Sequence, residues 1–245
     1  MTAAHAPPMP AVARAEARGS IYRLAAAALG YPLAETQQAF ADGRFHQSLD
    51  DAWQRLSGEP WPRLAPSASL TDLEVGYMAT FIHGDKGKPR VPLVANAYPD
   101  LLAGLSPGSY LLNVQAFYRH FGLTAALGDE GLKDEPDHLV AMLEFCALLC
   151  HLERRALEGD ADVSPYRRAQ RDFLARCLGP LLHAVRESYA RQRDLGLDAT
   201  LEHLIETLPD WADRQCRALE AEVGPCPDPG SSKATPDTAS QPLWD

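Results

Sequence analysis

The chain has 245 residues, 46% of them hydrophobic, which is enough for one sizeable core and too apolar for wholesale disorder. Lys and Arg total 23 against 33 Asp and Glu, and a net charge of -10 excludes a duplex nucleic-acid binder built on a basic face. Solubility is reason enough for such a charge, which also suits a positively charged partner such as a basic peptide.

No apolar run approaches the roughly 20 residues that span a bilayer. Met1–Gly19 lacks the basic stretch and apolar run of a secretory signal. Five cysteines (Cys146, Cys150, Cys177, Cys216, Cys226) at irregular spacings suit a reduced, cytosolic protein.

Residues 1–13 are rich in Ala and Pro and are expected to be loose. Ile21, Leu24, Ala25, Ala28 and Leu29 recur at helical spacing, which predicts a helix over 14–29 ended by Gly30 and Pro32. Short helices are expected over 34–40 and 45–56, before Pro60, Pro62 and Pro66 break the chain. Thr71 and Glu74 have the spacing of a capping box. The helix they open carries Leu70, Leu73, Tyr77, Met78 and Phe81 on one stripe. A long connection over 83–107 follows, with Lys86, Lys88 and Arg90 close together. Connections of this length in a compact domain are often functional.

A helix over 109–121 carries Tyr110, Val114, Phe117, Tyr118 and Phe121 in phase, with Gly122 as its left-handed cap. The next helix is expected over 135–157 and is apolar on most sides. Pro165 opens a segment running to about residue 193, bent at Gly179-Pro180. A last helix spans about 199–223 and is expected to kink at Pro209. Residues 224–245 have the composition of a disordered tail. With no period-two run and no repeat, the expectation is an all-α, single-domain helical bundle over 14–223.

Glu135-Pro136-Asp137-His138 is the segment whose residue types carry the most chemistry. Pro136 fits a first helical turn, where its missing amide proton costs nothing. Asp137 would sit in the positive field of the helix N-terminus, with Asp134 as cap. That field disfavours a cation, so His138 is expected to be neutral and able to bond a ligand. An Asp-His catalytic pair is disfavoured: neighbours on a helix diverge by roughly 100°, and no Gly-x-Ser-x-Gly elbow occurs. Cys146, Cys150 and His151 share a helix face, but no second ligand pair completes a closed zinc site. Gly84-Asp85-Lys86-Gly87-Lys88-Pro89 lacks the earlier glycine and the Ser or Thr of a phosphate loop.

The Glu-Pro-Asp-His motif opening an apolar helix resembles the TorD/DmsD/NarJ family of redox-enzyme maturation chaperones. Glu74, Tyr77 and Phe81 are similar to that family's Glu-x-x-Tyr-x-x-x-Phe helix. Pro92 to Tyr98 is similar to its proline-rich loop, and Tyr118 with Gly122 to its Tyr-x-x-x-Gly element. The likeness covers about residues 14–220, with its specific motifs within 74–145. Leu93 and Asn96 stand where many members have a second proline and a serine. The closest likeness is to chaperones of the type II dimethyl-sulfoxide-reductase-like enzymes.

The resemblance implies an all-helical fold with no cofactor and no catalysis of its own. It implies binding, in the cytoplasm, to the apo catalytic subunit of a molybdenum oxidoreductase, at its body or its twin-arginine leader, until its cofactor is inserted. The expected contacts are Glu135, Pro136, Asp137, His138 and Glu144, with Tyr77, Phe81, Pro92, Asn96, Tyr98 and Tyr118. The chaperone would be a monomer or a dimer. The readings that compete with it are a helical metal-dependent hydrolase using the Asp-His region and a helical scaffold with no maturation role.

Overall fold

A computed structural model describes residues 9–84, 87–123, 135–192 and 194–227. Its helices are α1 (Ala11–Leu29), α2 (Ala34–Ala41), α3 (Arg44–Ser57), α4 (Leu70–Tyr77), α5 (Pro107–His120), α6 (Leu139–Glu158), α7 (Ser164–Phe173), α8 (Gly179–Ala190) and α9 (Ala199–Val223). A π turn, Met78–Ile82, continues α4, and a second, Leu174–Leu178, joins α7 to α8. Short 3-10 turns at Ala95–Ala97 and Pro99–Leu102 punctuate the connection from α4 to α5. Among the described residues the fold is all-α, and the extended pairing is one isolated antiparallel bridge, Val94 to His138.

Several ends differ from the sequence expectation. Helix α1 starts at Ala11, inside the segment expected to be loose, because the carbonyl of Pro10 already accepts from Arg14 N at 3.0 Å. Ser69, not Thr71, caps α4: its hydroxyl accepts from Asp72 N at 3.1 Å and donates to the Asp72 carboxylate at 2.7 Å. The segment from 164 to 190 stays helical through Gly179-Pro180. A π turn just before it accommodates the missing donor of Pro180. Helix α9 runs through Pro209 to Val223. The tail begins fastened: Arg171 donates to the carbonyls of Val223 and Gly224, and Arg176 to that of Pro227. The rest of the expected tail, 228–245, and residues 1–8 lie outside the described residues. Gly122 has φ 75°, and Leu123 N bonds back to Tyr118 O at 2.9 Å, the left-handed ending expected for α5.

Helix α6 is the central beam. Leu139, Met142, Leu143, Phe145, Cys146 and Leu149 are all buried. Phe145 meets Phe173 of α7 and Tyr118 of α5, each at 4.8 Å between ring centres. Helix α1 lies antiparallel against α6, Tyr22 near Cys146 and Arg18 on Glu153. The approach is close: a Cβ on Gly19 would sit 3.2 Å from that of Cys150. An alanine-rich α1 permits this, since small side chains let two backbones come together.

A polar knot is buried in that seam. Glu153, fully shielded, receives Arg18 Nη2, Arg167 Nε at 2.8 Å and Gln170 Nε2 at 2.8 Å. Arg167 also reaches Glu222 of α9 at 3.0 Å, which Arg14 of α1 approaches at 3.5 Å. Burial pushes the Glu153 carboxyl up, but Arg18, Gln170 and Arg167 outweigh it and hold it below the ordinary range. A depressed carboxylate stabilises the fold above its unfolded pKa, near about 4.3, and that contribution is lost as pH falls through the folded value.

Glu153→Ala is therefore expected to cost about 3–5 kcal/mol, because Arg18 is left buried without its counter-charge; a urea unfolding midpoint within error of wild type refutes this. Leu143→Ala should cost about 2–5 kcal/mol through the cavity it leaves, read in the same titration.

Candidate partner-binding site

The start of α6 is not where residue types alone put it. Glu135 to His138 forms a turn, closed by His138 N donating to Glu135 O at 2.9 Å, and the helix begins at Leu139. His138 is the N-cap. Its Nδ1 accepts from Val140 N at 3.2 Å, so while the cap holds, the ring proton of the neutral imidazole sits on Nε2. Pro136 sits in the turn, and Asp137 precedes the helix by two positions. The expected cap, Asp134, lies outside the described residues.

What displaces the helix start is a long-range bond network. Leu139 N donates to Leu93 O at 2.7 Å and Ala95 N to Asp137 O at 3.1 Å, the two main-chain bonds that flank the Val94–His138 bridge. Asp137 Oδ2 accepts from Asn96 N at 2.7 Å. Tyr118 of α5 donates to Pro136 O at 2.7 Å, and Tyr98 donates to Pro92 O at 2.8 Å, folding the loop on itself. The segment 92–98 and the turn 135–138 are thus latched together, and α5 clamps the turn from the side.

Asp137 is wholly shielded from solvent, and among the described residues its Oδ1 has no hydrogen-bond partner. Burial raises its carboxyl above the ordinary range against the pull of the Asn96 amide and His138. Asp137 thus acts on the loop rather than on solvent. Its carboxylate and the His138 ring hold different backbone amides.

The expected contacts divide by place. Glu135 is exposed, while Pro136, His138, Pro92, Asn96, Tyr98 and Tyr118 are part-exposed around the latch. Glu144 is exposed further along α6, at a groove shared with Glu16 and Arg23 of α1. Tyr77 and Phe81 are not open to a partner: each is 3% exposed, their rings meet edge to face at 4.9 Å, and Tyr77 donates to Leu29 O at 3.1 Å. They are core residues: Tyr77 reaches the end of α1, and Gly76 beside it packs on Gly196.

Arg18, Arg167 and Gln170 went unnoticed at the sequence level, because nothing local marks an arginine that will be buried. Cys146 and Cys150 are buried with their thiols pushed up, Cys150 to about 12, and Cys150 Sγ donates to Gln170 Oε1 at 3.3 Å. Among the described residues no three His, Cys, Asp or Glu side chains group as metal ligands.

The raised Asp137 carboxyl has a consequence of definite sign. Its favourable contribution is complete below the unfolded pKa, near about 3.9, and is lost as pH rises through the higher folded value. Asp137→Asn, which keeps an oxygen for Asn96 N, should remove that trend, so its melting temperature falls less than that of wild type between acidic and neutral pH. Parallel curves for the two proteins would show that the carboxyl is not destabilised by burial.

The family model of the nitrate reductase delta subunit matches residues 35–187. A dimethyl sulfide dehydrogenase assembly chaperone protein of Rhodovulum sulfidophilum is 47% identical over 236 residues, 96% of this chain and 94% of the relative. A perchlorate reductase assembly chaperone protein of Dechloromonas aromatica (strain RCB) is 34% identical, over 69% of this chain and 76% of the relative. A selenate reductase assembly chaperone protein of Thauera selenatis is 36% identical over 54% of this chain and 63% of the relative. No solved structure matches the chain. A family model that spans more than half of the chain, and a relative of such identity over nearly all of it, place the chain in the nitrate reductase delta subunit family, the TorD/DmsD/NarJ family that its Glu-Pro-Asp-His segment resembles.

Proposed function

We propose that the chain is a system-specific assembly chaperone that binds the apo catalytic subunit of a molybdenum oxidoreductase of the dimethyl sulfide dehydrogenase type. The observation that carries this is the 47% identity, end to end, with a protein named as the assembly chaperone of dimethyl sulfide dehydrogenase. The chain holds the subunit in the cytoplasm, at its body or its twin-arginine leader, while the molybdenum cofactor is inserted. It does so by binding, without a chemical step of its own.

The docking surface in this reading is the latched face, with Glu135 and His138 from the turn, Pro92, Asn96 and Tyr98 from the loop and Tyr118 from α5, and it extends along α6 to Glu144. Asp137 and the carbonyl of Pro136 work from behind, fixing the loop and the turn. Tyr77 and Phe81 support the fold from the core. Acids at the rim of an acidic protein suit a client segment that carries arginine.

The test is co-expression with a candidate catalytic subunit, followed by co-purification. Glu135→Gln combined with His138→Asn keeps a capping side chain at position 138. It should lower recovery of the subunit by about tenfold or more while the melting temperature stays near wild type. Tyr118→Phe, by contrast, removes one hydrogen bond and should cost about 1 kcal/mol of stability. Undiminished recovery with the double variant moves the docking surface away from the latch.

A further inference from the structure

Helix α4 and its π turn carry an apolar stripe on each of two faces. The inner one, Leu73, Tyr77 and Phe81 with Gly76 and Thr80, is buried. The outer one is Val75, Met78, Ala79 and Ile82, at the 3–4 spacing of a helix-packing seam. Val75 is 62% and Ile82 43% exposed. A surface helix of a globular protein ordinarily turns one apolar stripe to the core and polar residues outward, so a second stripe left in water needs a partner. Both stripes keep their helical spacing through the π turn, where Thr80 and Phe81 are buried and Ile82 is exposed.

The surroundings say what kind of partner. The connection after the π turn folds back, with Val91 N on Thr80 O at 2.9 Å, and brings Arg90 beside the stripe. Val75, Met78, Ala79, His83, Gly84 and Arg90 line a shallow pocket of about 410 Å³. His83, Lys88 and Arg90 are exposed. Among the described residues no carboxylate pairs with Lys88 or Arg90, in a chain of net charge -10. An apolar stripe bordered at its C-terminal end by cations that no described carboxylate pairs complements an amphipathic helix whose apolar ridge is flanked by acids.

We infer that the outer face of α4, with its border at His83, Lys88 and Arg90, docks an acidic amphipathic helix of the client subunit. Assigning that helix to the client rests on the chaperone reading; the chemistry of the face does not. The face lies on another element from the latch, and it selects the opposite charge.

The experiment uses the full chain and two labelled peptides of about 18 residues. Both have leucines at helix-packing spacing; one is flanked by Glu and the other by Lys. Fluorescence anisotropy should show binding of the Glu peptide alone, weakened by salt. Lys88→Glu with Arg90→Glu, and separately Val75→Ser with Ile82→Ser, should each weaken it by about tenfold or more. The Glu135→Gln, His138→Asn variant should bind it as wild type does.

No binding of the Glu peptide, or equal binding of the Lys peptide, overturns the inference. So does a homodimer in light scattering that the Val75→Ser, Ile82→Ser variant abolishes, since the occupant is then a second copy. If the Glu peptide binds as expected but wild type recovers no catalytic subunit, the face stands and the chaperone reading falls.

Discussion

A carboxylate removed from water fixes this fold. Glu153 has no solvent to share its charge, so it must be met by donors from the elements around it, and three arrive: Arg18 from α1, Arg167 and Gln170 from α7. Apolar packing between α1 and α6 tolerates a slide of one turn at modest cost, because alanine faces look alike from turn to turn. A buried ion pair does not, since a slide leaves charges unmatched in low dielectric. The knot thus sets the register of α1 on α6 that brings Gly19 against Cys150. With α7 tied to the same carboxylate, and α9 to Arg167 through Glu222, α6 becomes a fixed beam.

The latch depends on that beam. Two main-chain bonds and one carboxylate bond would not order a loop by themselves, because ordering each residue costs about 1–2 kcal/mol in entropy. They succeed because one side of the pairing, Asp137 to Leu139, is already rigid, and because Leu93 and Ala95 bury beneath it. Each of the four motif residues then has a separate task. Glu135 closes the turn through its carbonyl, Pro136 offers its carbonyl to Tyr118, Asp137 holds Asn96, and His138 caps the helix.

The all-α fold and the bounds of α2, α3 and α9 were legible because local signals decide them: apolar period, flanking glycine, capping polar residue. The glycine ending of α5 was legible for the same reason. Helix α6 was placed four residues too early because Pro136 and Asp137 satisfy the local rules for a first turn. Those rules are blind to Leu93 and Asn96, whose claims on Leu139 N and Asp137 arrive from more than 40 residues away. The Arg18–Glu153 pair spans 135 residues and left no trace in the sequence pattern. Tyr77 and Phe81 were rightly seen to share a face, but a face is core or surface only relative to its neighbours. The π turn after α4 leaves no local signal, because the stripe Leu73, Tyr77, Phe81 runs through it at unbroken spacing.

The position of His138 also answers a question that helix electrostatics left open. The positive end of a helix disfavours a cation, and the amide of Val140 needs an acceptor. A neutral imidazole meets both demands at once, with Nδ1 turned to the amide and the proton kept on Nε2. Protonating Nδ1 would forfeit the cap. Serine or asparagine would cap as well or better, so capping alone does not call for histidine. What histidine adds is a second ring nitrogen, held at a fixed angle on a part-exposed face by the bond its first nitrogen makes.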